Sequence, residues 1–416
     1  MPMVPKYPSI TLLALALLAG AARADTLAAR LNALVADPQL KGSSLGLHVV
    51  EITPTGPVEI YSHNADAPLA PASNCKILTT AAAFERYGPK ATFKTRLFKV
   101  GDDLILVGSG DPGLGDETLL NQAGMGPTQI FDDWADALHK SGLTSYHNLI
   151  LDERVFDAQY FHPNWPANQR GTSSEARIGG LNFSDNIKNG TVVTDPGALA
   201  GTSLQASLAK AGIASTGQLL RIAPDAKFDG TLLAFHETPI LSVLTRANTD
   251  SVNMMAEGLC KRLGHDATDQ PGTWQNGTDA VKAYLKSLKI PDGDVTLDDG
   301  SGLSDKNRVT ARAFTTVLAH VAARPDGALY VQTFAVPGEG SLIKRFKDAA
   351  TAPAAKAIHA KTGHINNVST LSGYIEAGGR HFAFSILCGD YYKNTPNVNP
   401  WQDQVCAEIY KWALTK

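Results

Sequence analysis

The stretch Pro71-Ala72-Ser73-Asn74-Cys75-Lys76-Ile77-Leu78 decides how the rest of the chain is interpreted. Ser73 and Lys76 lie three residues apart at the start of a predicted helix that continues to Tyr87 and ends at Gly88. On a helix this spacing places the hydroxyl and the amine on one face. The pair is a candidate nucleophile and base, but Ser-x-x-Lys is common by chance. Without partners, a helix-capping serine and a solvated lysine would be the better interpretation.

The composition is that of an ordinary globular chain. Its 416 residues are 44% hydrophobic and 19% charged, which is enough for two or three domains. A net charge of −3 gives no reason to expect nucleic acid or an anionic membrane surface as a partner.

Residues 1–24 predict a cleavable signal peptide. Lys6 precedes the apolar run Ile10–Leu18, and Ala22-Arg23-Ala24 fits a small-x-small cleavage site. The run is too short to span a bilayer, so no transmembrane anchor is expected. We therefore expect an exported protein in the periplasm of a Gram-negative bacterium.

Export would permit disulfides among the four cysteines, which are Cys75, Cys260, Cys388 and Cys406. Cys388 and Cys406 could join a late strand to the last helix, and buried free thiols are the equal alternative. No two cysteines are spaced like a zinc pair, and the eleven histidines show no metal-ligand spacing, so neither a metal nor a cofactor is predicted.

The order of predicted elements indicates an α+β fold with an insertion. Strands Ser44–Ile52 and Val58–Ser62 near the start, and Thr370–Ala377 and His381–Cys388 near the end, predict one antiparallel sheet flanked by helices. Between the N-terminal and C-terminal strands, the predicted elements are short strands, turns and helices. We expect one discontinuous domain of residues 25–91 and 235–416, with a separate inserted domain of residues 92–234.

Several boundaries follow from local signals. A helix is predicted over Asp25–Leu40, and Thr238-Pro239 is interpreted as the cap and first residue of a helix that ends at Arg246. The next helix is predicted from Ser251 to Leu263, with Gly264 as its stop.

Two later motifs give Ser73 and Lys76 their partners. Ser251-Val252-Asn253 lies where one predicted helix ends and the next begins, which suits a turn that points both groups into a cleft. Lys361-Thr362-Gly363 is predicted to open a strand near the C-terminus. Ser-x-x-Lys, Ser-x-Asn and Lys-Thr-Gly, in this order, form the motif set of penicillin-binding proteins and class A β-lactamases.

On these motifs the chain resembles the insert-bearing, low-molecular-mass penicillin-binding proteins, which are serine-type D-alanyl-D-alanine carboxypeptidases and endopeptidases similar to penicillin-binding protein 4. Further resemblance lies in Gly108-Ser109-Gly110-Asp111-Pro112, in Leu371-Ser372-Gly373-Tyr374 and in the segment Leu297–Ser304, whose Asp298-Asp299-Gly300-Ser301-Gly302 predicts a tight turn near the cleft. The resemblance implies a β-lactamase/transpeptidase-like fold. It also implies hydrolysis of D-Ala-D-Ala termini, and of D-Ala–diaminopimelate cross-links, in peptidoglycan stem peptides, with β-lactams as covalent inhibitors.

The chemistry assigns roles within this set. Ser73 would form the acyl-enzyme and Lys76 would take its proton, provided that burial and the nearby Lys361 lower the pKa of Lys76. Ser251 would relay a proton to the leaving amine, and Asn253 would hold Lys76 and the substrate amide. The remaining roles concern substrate binding: Lys361 and Thr362 for the terminal carboxylate, Gly363 for close approach of the substrate backbone, and the backbone N–H groups of Ser73 and His364 for the oxyanion hole.

Three features of the chain either differ from the family pattern or leave the role of a residue undecided. His364 stands where the family has Thr or Ser, which makes carboxylate recognition depend on an imidazole. The small innermost domain of larger relatives is expected to be absent after Asn182-Phe183-Ser184-Asp185-Asn186. Asp152 matches an aspartate that faces diaminopimelate in the family, and a turn or capping aspartate is the equal alternative.

Two other functions share part of this evidence. A serine β-lactamase has the same constellation, but its class A form needs a Glu-x-x-Leu-Asn loop, and Glu175 and Asn182 have the wrong spacing. A non-catalytic peptidoglycan-binding or sensor module would not need every reactive side chain. The sequence leaves a homodimer open.

Overall fold

The computed structural model describes residues 27–169, 172, 177–391, 395 and 397–415. The segment predicted as a signal peptide, residues 1–24, lies outside them. Within these residues no helix is both long enough and apolar enough to cross a membrane.

The helices of the described residues mostly bury one apolar side against a sheet. The helix Ala311–Ala322, for example, buries Phe314 and Val317, and the helix Gln129–Lys140 buries Phe131 and Trp134. In chain order the helices are α1 (27–35), α2 (Cys75–Tyr87), α3 (Glu117–Gln122), α4 (Gln129–Lys140), α5 (Pro196–Lys210), α6 (Ile240–Asn248), α7 (Asn253–Thr268), α8 (Trp274–Ser287), α9 (Ala311–Ala322), α10 (Gly327–Val331) and α11 (Asn399–Leu414).

The strands fall into two five-stranded sheets and three two-stranded ones among the described residues. In chain order they are β1 (Ser44–Thr53), β2 (Gly56–His63), β3 (Thr92–Val100), β4 (Asp103–Val107), β5 (Ser145–Tyr146), β6 (Leu149–Asp152), β7 (Ile187–Lys188), β8 (Thr191–Val192), β9 (Ala214–Ser215), β10 (Leu219–Arg221), β11 (Thr231–Pro239), β12 (Val295–Thr296), β13 (Arg308–Val309), β14 (Ile358–Ile365), β15 (Val368–Ala377) and β16 (Arg380–Gly389).

The central sheet joins the two ends of the chain. Its order is β14-β15-β16-β1-β2, and every neighbouring pair is antiparallel. Strand β1 pairs with β16 from Ser44 opposite Gly389 to Ile52 opposite His381. The predicted pairing of the N-terminal hairpin with the C-terminal strands is confirmed.

Helices cover both faces of this sheet, which gives three layers. One core packs α2, α6, α7, α8 and α9 against one face and includes Phe84 and Phe314. The other packs α1 and α11 against the opposite face and includes Leu27 and Trp401. The predicted α+β fold with flanking helices is confirmed.

The inserted segment has its own sheet and core. Its sheet has the order β10-β6-β4-β3-β11, with parallel pairing at β4–β6 and β6–β10. Strand β11 pairs with β3 as far as Pro239 opposite Thr92, so this sheet extends past residue 234, and the predicted domain boundaries stay a prediction. Where larger relatives were expected to carry a further small domain, β7 and β8 form a hairpin around Asn189 and Gly190, both with positive φ.

Two predicted helix boundaries are wrong. Thr238 is not a cap; it lies in strand β11, which ends at Pro239, and its Oγ1 donates to Asp111 Oδ2 at 2.6 Å. Helix α6 begins only at Ile240, because the residue before a proline disfavours helical backbone. Gly264 does not stop α7, which continues to Thr268. A Cβ at Gly264 would lie 2.1 Å from Asn276 Oδ1, so the glycine allows α8 to pack closely.

Three further expectations change in detail. Of the predicted helix Asp25–Leu40, the described residues form α1 over 27–35 and a separate 3-10 turn over Pro38–Leu40. Lys361 lies in the middle of β14 rather than at its start. All four cysteines are buried free thiols, so the suggested Cys388–Cys406 disulfide is not formed.

Candidate active site

Ser73 and Lys76 meet at the start of α2. Ala72–Asn74 forms a 3-10 turn that runs directly into the helix, with Ala72 held at φ +46°. The Lys76 Nζ atom donates to Ser73 Oγ at 2.9 Å. The predicted face-sharing of hydroxyl and amine is therefore present.

The Ser-x-Asn segment supplies the second wall of the site. Ser251 has φ +63° in the turn between α6 and α7, and Asn253 is the first residue of α7. Lys76 Nζ donates to Asn253 Oδ1 at 2.7 Å and to the Ser301 carbonyl oxygen at 3.0 Å. Asn253 thus holds the amine, as predicted from the sequence.

Strand β14 supplies the third wall. Lys361 Nζ donates to Ser251 Oγ at 2.8 Å and to the Thr362 carbonyl oxygen at 2.6 Å. Both amines are fully buried. Because Ser251 and Asn253 are separated by one residue and each contacts a different lysine, the three motifs converge on one pocket.

Burial sets the charge state of the two amines. It lowers the pKa of Lys76 to about 8, while the carboxylates of Glu257 and Asp299 oppose that shift. Burial, followed by repulsion from Lys76, lowers the pKa of Lys361 well below its usual value. Repulsion between the two amines therefore acts on the pKa of Lys361, and not on the pKa of Lys76 as predicted.

Asn74 is a structural member of the site that the sequence analysis did not single out. Its buried amide accepts from Ser372 Oγ at 2.6 Å and donates to the Lys361 carbonyl oxygen at 2.9 Å in the orientation that satisfies both ends of the amide. It therefore ties the residue next to Ser73 to strands β14 and β15. In the sequence, the position of Asn74 between Ser73 and Lys76 could have indicated that it belongs to the site.

Gly363 is required by packing inside the protein. A Cβ there would lie 2.2 Å from Thr370 Oγ1, 3.0 Å from the Pro71 carbonyl oxygen and 3.0 Å from the Ser73 nitrogen. The glycine lets β14 approach the turn that carries Ser73. Close approach of a substrate backbone, the expected reason for this glycine, stays a prediction.

The outer edge of β14 carries the remaining predicted binding groups. The Ala360 N–H donates outward to the Ala335 carbonyl oxygen at 2.9 Å. Because alternate residues of a strand point their N–H groups the same way, those of Thr362 and His364 face the same edge. The His364 side chain is exposed and that of Thr362 is half-buried.

A second residue missed by the sequence analysis is Glu257, one helical turn after Asn253. Its fully buried carboxylate accepts from the backbone N–H groups of Gly300 at 3.0 Å and Ser301 at 2.8 Å, and from Trp274 Nε1 at 2.8 Å. These contacts fix the turn whose Ser301 carbonyl touches Lys76. The spacing of four residues from Asn253 was the available signal.

Asp152 lies in a different cleft. Its carboxylate makes a paired ion contact with Arg154, at 2.9 Å to Nε and 2.7 Å to Nη2. The cleft of about 610 Å³ that it lines also contains Lys94, Arg96 and Arg262, but none of the five residues predicted to be catalytic. A role for Asp152 in substrate binding stays a prediction.

Residues 27–193 and 183–405 match the D-Ala-D-Ala carboxypeptidase 3 (S13) family. The chain belongs to this family. It is 29% identical to the D-alanyl-D-alanine carboxypeptidase of Actinomadura sp. strain R39 over 95% of this chain and 86% of that protein. The predicted family and the predicted class, a serine-type carboxypeptidase enzyme, are confirmed.

Solved structures of other proteins share the fold. Penicillin-binding protein 4 (dacB) from Haemophilus influenzae aligns with a TM-score of 0.75 at 23% identity, covering 90% of this chain and 97% of that one. Penicillin G-acylated Bd3459, an endopeptidase from Bdellovibrio bacteriovorus solved with its immunity protein, aligns with a TM-score of 0.54 at 18% identity, covering 88% and 92%. The predicted fold class is confirmed.

Proposed function

We propose that this S13 family member is a periplasmic serine DD-peptidase that hydrolyses D-Ala-D-Ala termini, and D-Ala–diaminopimelate cross-links, of peptidoglycan. The observation that carries the proposal is the contact of the buried Lys76 amine with Ser73 Oγ at 2.9 Å. A buried amine beside a hydroxyl is the arrangement that activates a serine nucleophile.

In the first half of the reaction Ser73 Oγ attacks the carbonyl carbon between the two D-alanines, and its proton passes to the neutral Lys76 amine. The tetrahedral oxyanion is stabilised by the backbone N–H groups of Ser73 and His364. The C–N bond then breaks. The leaving amine takes up the proton that Lys76 received, relayed through Ser251, which leaves Lys76 neutral again. Lys361 Nζ contacts Ser251 Oγ at 2.8 Å.

In the second half, water attacks the Ser73 ester. The water would give up a proton to the neutral Lys76 amine as its oxygen bonds to the acyl carbon, and Lys76 would pass that proton to Ser73 Oγ as the ester C–O bond breaks. The net result is one peptide bond hydrolysed and the enzyme restored. Lys361 and Thr362 would bind the terminal carboxylate of the substrate, and Asn253 its amide. A β-lactam would acylate Ser73 in the same way and be released slowly.

The test compares the wild type with Ser73→Ala on purified muropeptide monomers and cross-linked dimers. We expect the wild type to release D-alanine and to cleave the dimers, and the variant to lose at least about 10³-fold of both rates, since removal of a nucleophile costs that much or more. Fluorescent penicillin should label only the wild type. Rapid nitrocefin turnover without muropeptide cleavage would favour a β-lactamase instead, and unlabelled wild type would favour a binding module.

A further inference from the structure

We propose that Glu257 is a positioning residue, whose buried carboxylate holds the Ser301 carbonyl against the Lys76 amine and keeps negative charge beneath that amine. This inference rests on the proposed function, because it concerns how the base of that reaction is held and tuned.

The first support is the completeness of the carboxylate's contacts. Oε1 accepts from Ser301 N, and Oε2 accepts from Gly300 N and Trp274 Nε1. Burial, followed by the charge of Asp299, raises the pKa of Glu257 to about 7, and the hydrogen bonds from these three N–H donors oppose that rise. The carboxylate form therefore predominates above neutral pH, the range in which Lys76 loses its proton. A charge this deeply buried is costly unless it is paired or fully hydrogen-bonded.

The second support is the direct path from this carboxylate to the base. Glu257 fixes the Ser301 N–H, and the carbonyl oxygen of the same residue accepts from Lys76 Nζ at 3.0 Å. The Gly300 carbonyl oxygen meanwhile accepts from Thr79 Oγ1 at 2.8 Å, one helical turn along α2. Hydrogen bonds thus hold the turn to α7 on one side and to α2 on the other, and they fix the position of the Ser301 carbonyl oxygen beside Lys76.

The third support is close packing that only glycine allows. A Cβ at Gly300 would lie 2.6 Å from Cys260 Cβ and 2.9 Å from the Ala256 carbonyl oxygen, and one at Gly302 would lie 1.8 Å from the Ala72 carbonyl oxygen. The turn therefore lies directly on α7 on one side and on the residue before Ser73 on the other.

The charges that face Lys76 from each packed element are few. Helix α7 contributes Glu257, the turn contributes Asp299, β14 contributes Lys361, and α2 itself contributes the buried Cys75 thiol. The two carboxylates stabilise the ammonium form of Lys76 and oppose the effect of burial. Asp250 faces Lys361 rather than Lys76.

These charges determine the direction in which the pH–rate profile of acylation should move when Glu257 is replaced. Acylation requires the neutral amine, so its rate rises with pH through the pKa of Lys76, which is about 8. Removing the Glu257 charge destabilises the ammonium form, and the acid limb of the pH–rate profile moves to lower pH. Loss of the hold on Ser301 independently lowers the plateau rate.

The experiment measures the pH dependence of acylation by penicillin in wild type, Glu257→Gln, Glu257→Asp and Asp111→Asn. We expect Glu257→Gln to shift the acid limb down by about one pH unit and to lower the plateau at least tenfold. Glu257→Asp, which keeps the charge, should lower the plateau with a smaller shift. Asp111→Asn removes a buried carboxylate that contacts Thr238 and Gly113, away from Lys76, and controls for the loss of a buried charge.

Two measurements keep the inference testable when a variant misfolds or the enzyme does not acylate. The titration of the Lys76 amine by ¹⁵N NMR, assigned with Lys76→Arg, reports the same shift without turnover. Trp274→Phe removes one N–H donor from Glu257, so its carboxylate protonates more readily, and we expect a smaller shift in the same direction. An unchanged acid limb and an unchanged Lys76 titration in Glu257→Gln, whatever happens to the plateau, would overturn the inference. Failure of the wild type to acylate would instead overturn the proposed function.

Discussion

The cleft at Ser73 and the cleft at Asp152 use similar residue types in opposite ways. At Ser73 the two amines are fully buried, and each contacts a hydroxyl and a carbonyl oxygen. At Asp152 two basic side chains are partly exposed, with 45% of Lys94 and 35% of Arg154 accessible, and each of these two is paired with a carboxylate. Burial without an opposite charge in contact keeps an amine poised to lose a proton, whereas an exposed ion pair keeps its charge.

The largest effect should come from the tight packing behind Ser73. Gly363→Ala places a methyl group 2.2 Å from Thr370 Oγ1, so we expect a loss of about 1–3 kcal/mol in the free energy of unfolding. Because the turn that carries Ser73 must also move, we expect acylation by penicillin to fall about 10²-fold. Urea unfolding and acylation kinetics measure the two effects.

Gly293→Ala is the matched control, since nothing lies within 4 Å of its added Cβ. If both variants acylate at the wild-type rate, acylation does not depend on the exact position of the turn that carries Ser73. The proposed difference between the tightly packed Ser73 site and the Asp152 cleft would then be wrong.

An intermediate effect is expected at His364, which lies on the open edge of the Ser73 cleft. If its side chain binds the terminal carboxylate of the substrate, His364→Ala should lower carboxypeptidase activity more than it lowers acylation by a β-lactam, because the ligand of that carboxylate is lost. Rates of both reactions in the wild type and the variant measure this. Equal losses of the two activities would show that the ring is not the ligand.

The smallest effect should come from Asp152→Asn. The ion pair with Arg154 is partly exposed, and Arg154 also donates to the carbonyl oxygens of Pro224 and Ala226, so we expect a loss of at most about 1 kcal/mol. Acylation by penicillin should stay within about twofold. Digestion of diaminopimelate-containing muropeptide dimers by the variant, with Arg154→Gln beside it, decides whether Asp152 has the substrate role that the resemblance implies. A large loss of acylation would show that the two clefts are coupled.

The central sheet was predictable because its signals are local and strong. Strand-forming runs at both ends of the chain, together with the two-residue turn Gly378-Gly379 between β15 and β16, indicate which segments pair. The end of α7 was not predictable, because Gly264 is kept for packing against Asn276 and not for a helix stop. A sequence shows that a glycine is present, but not which neighbour requires it.

The residues of the site likewise divide into those that the sequence predicts and those that it does not. Ser73, Lys76 and Lys361 carry their chemistry in short motifs that are visible from spacing. Asn74 and Glu257 act through hydrogen bonds to backbone atoms of distant segments, such as the Lys361 carbonyl and the Ser301 N–H. Every residue has such backbone atoms, so a pattern of residue types does not indicate which of them are bonded. Such support becomes visible only when the fold brings the segments together.

The pairing of β1 with β16 has a consequence for the order in which this protein acquires its shape. More than three hundred residues separate Ser44 from its partner Gly389, so the first strand has its neighbour on that side only after nearly the whole chain has been made. Until then β1 and β2 form an isolated ribbon, which is marginally stable at best in water. A chain threaded across a membrane from its N-terminus would therefore stay open during passage and close around Ser73 only on arrival of its final strands.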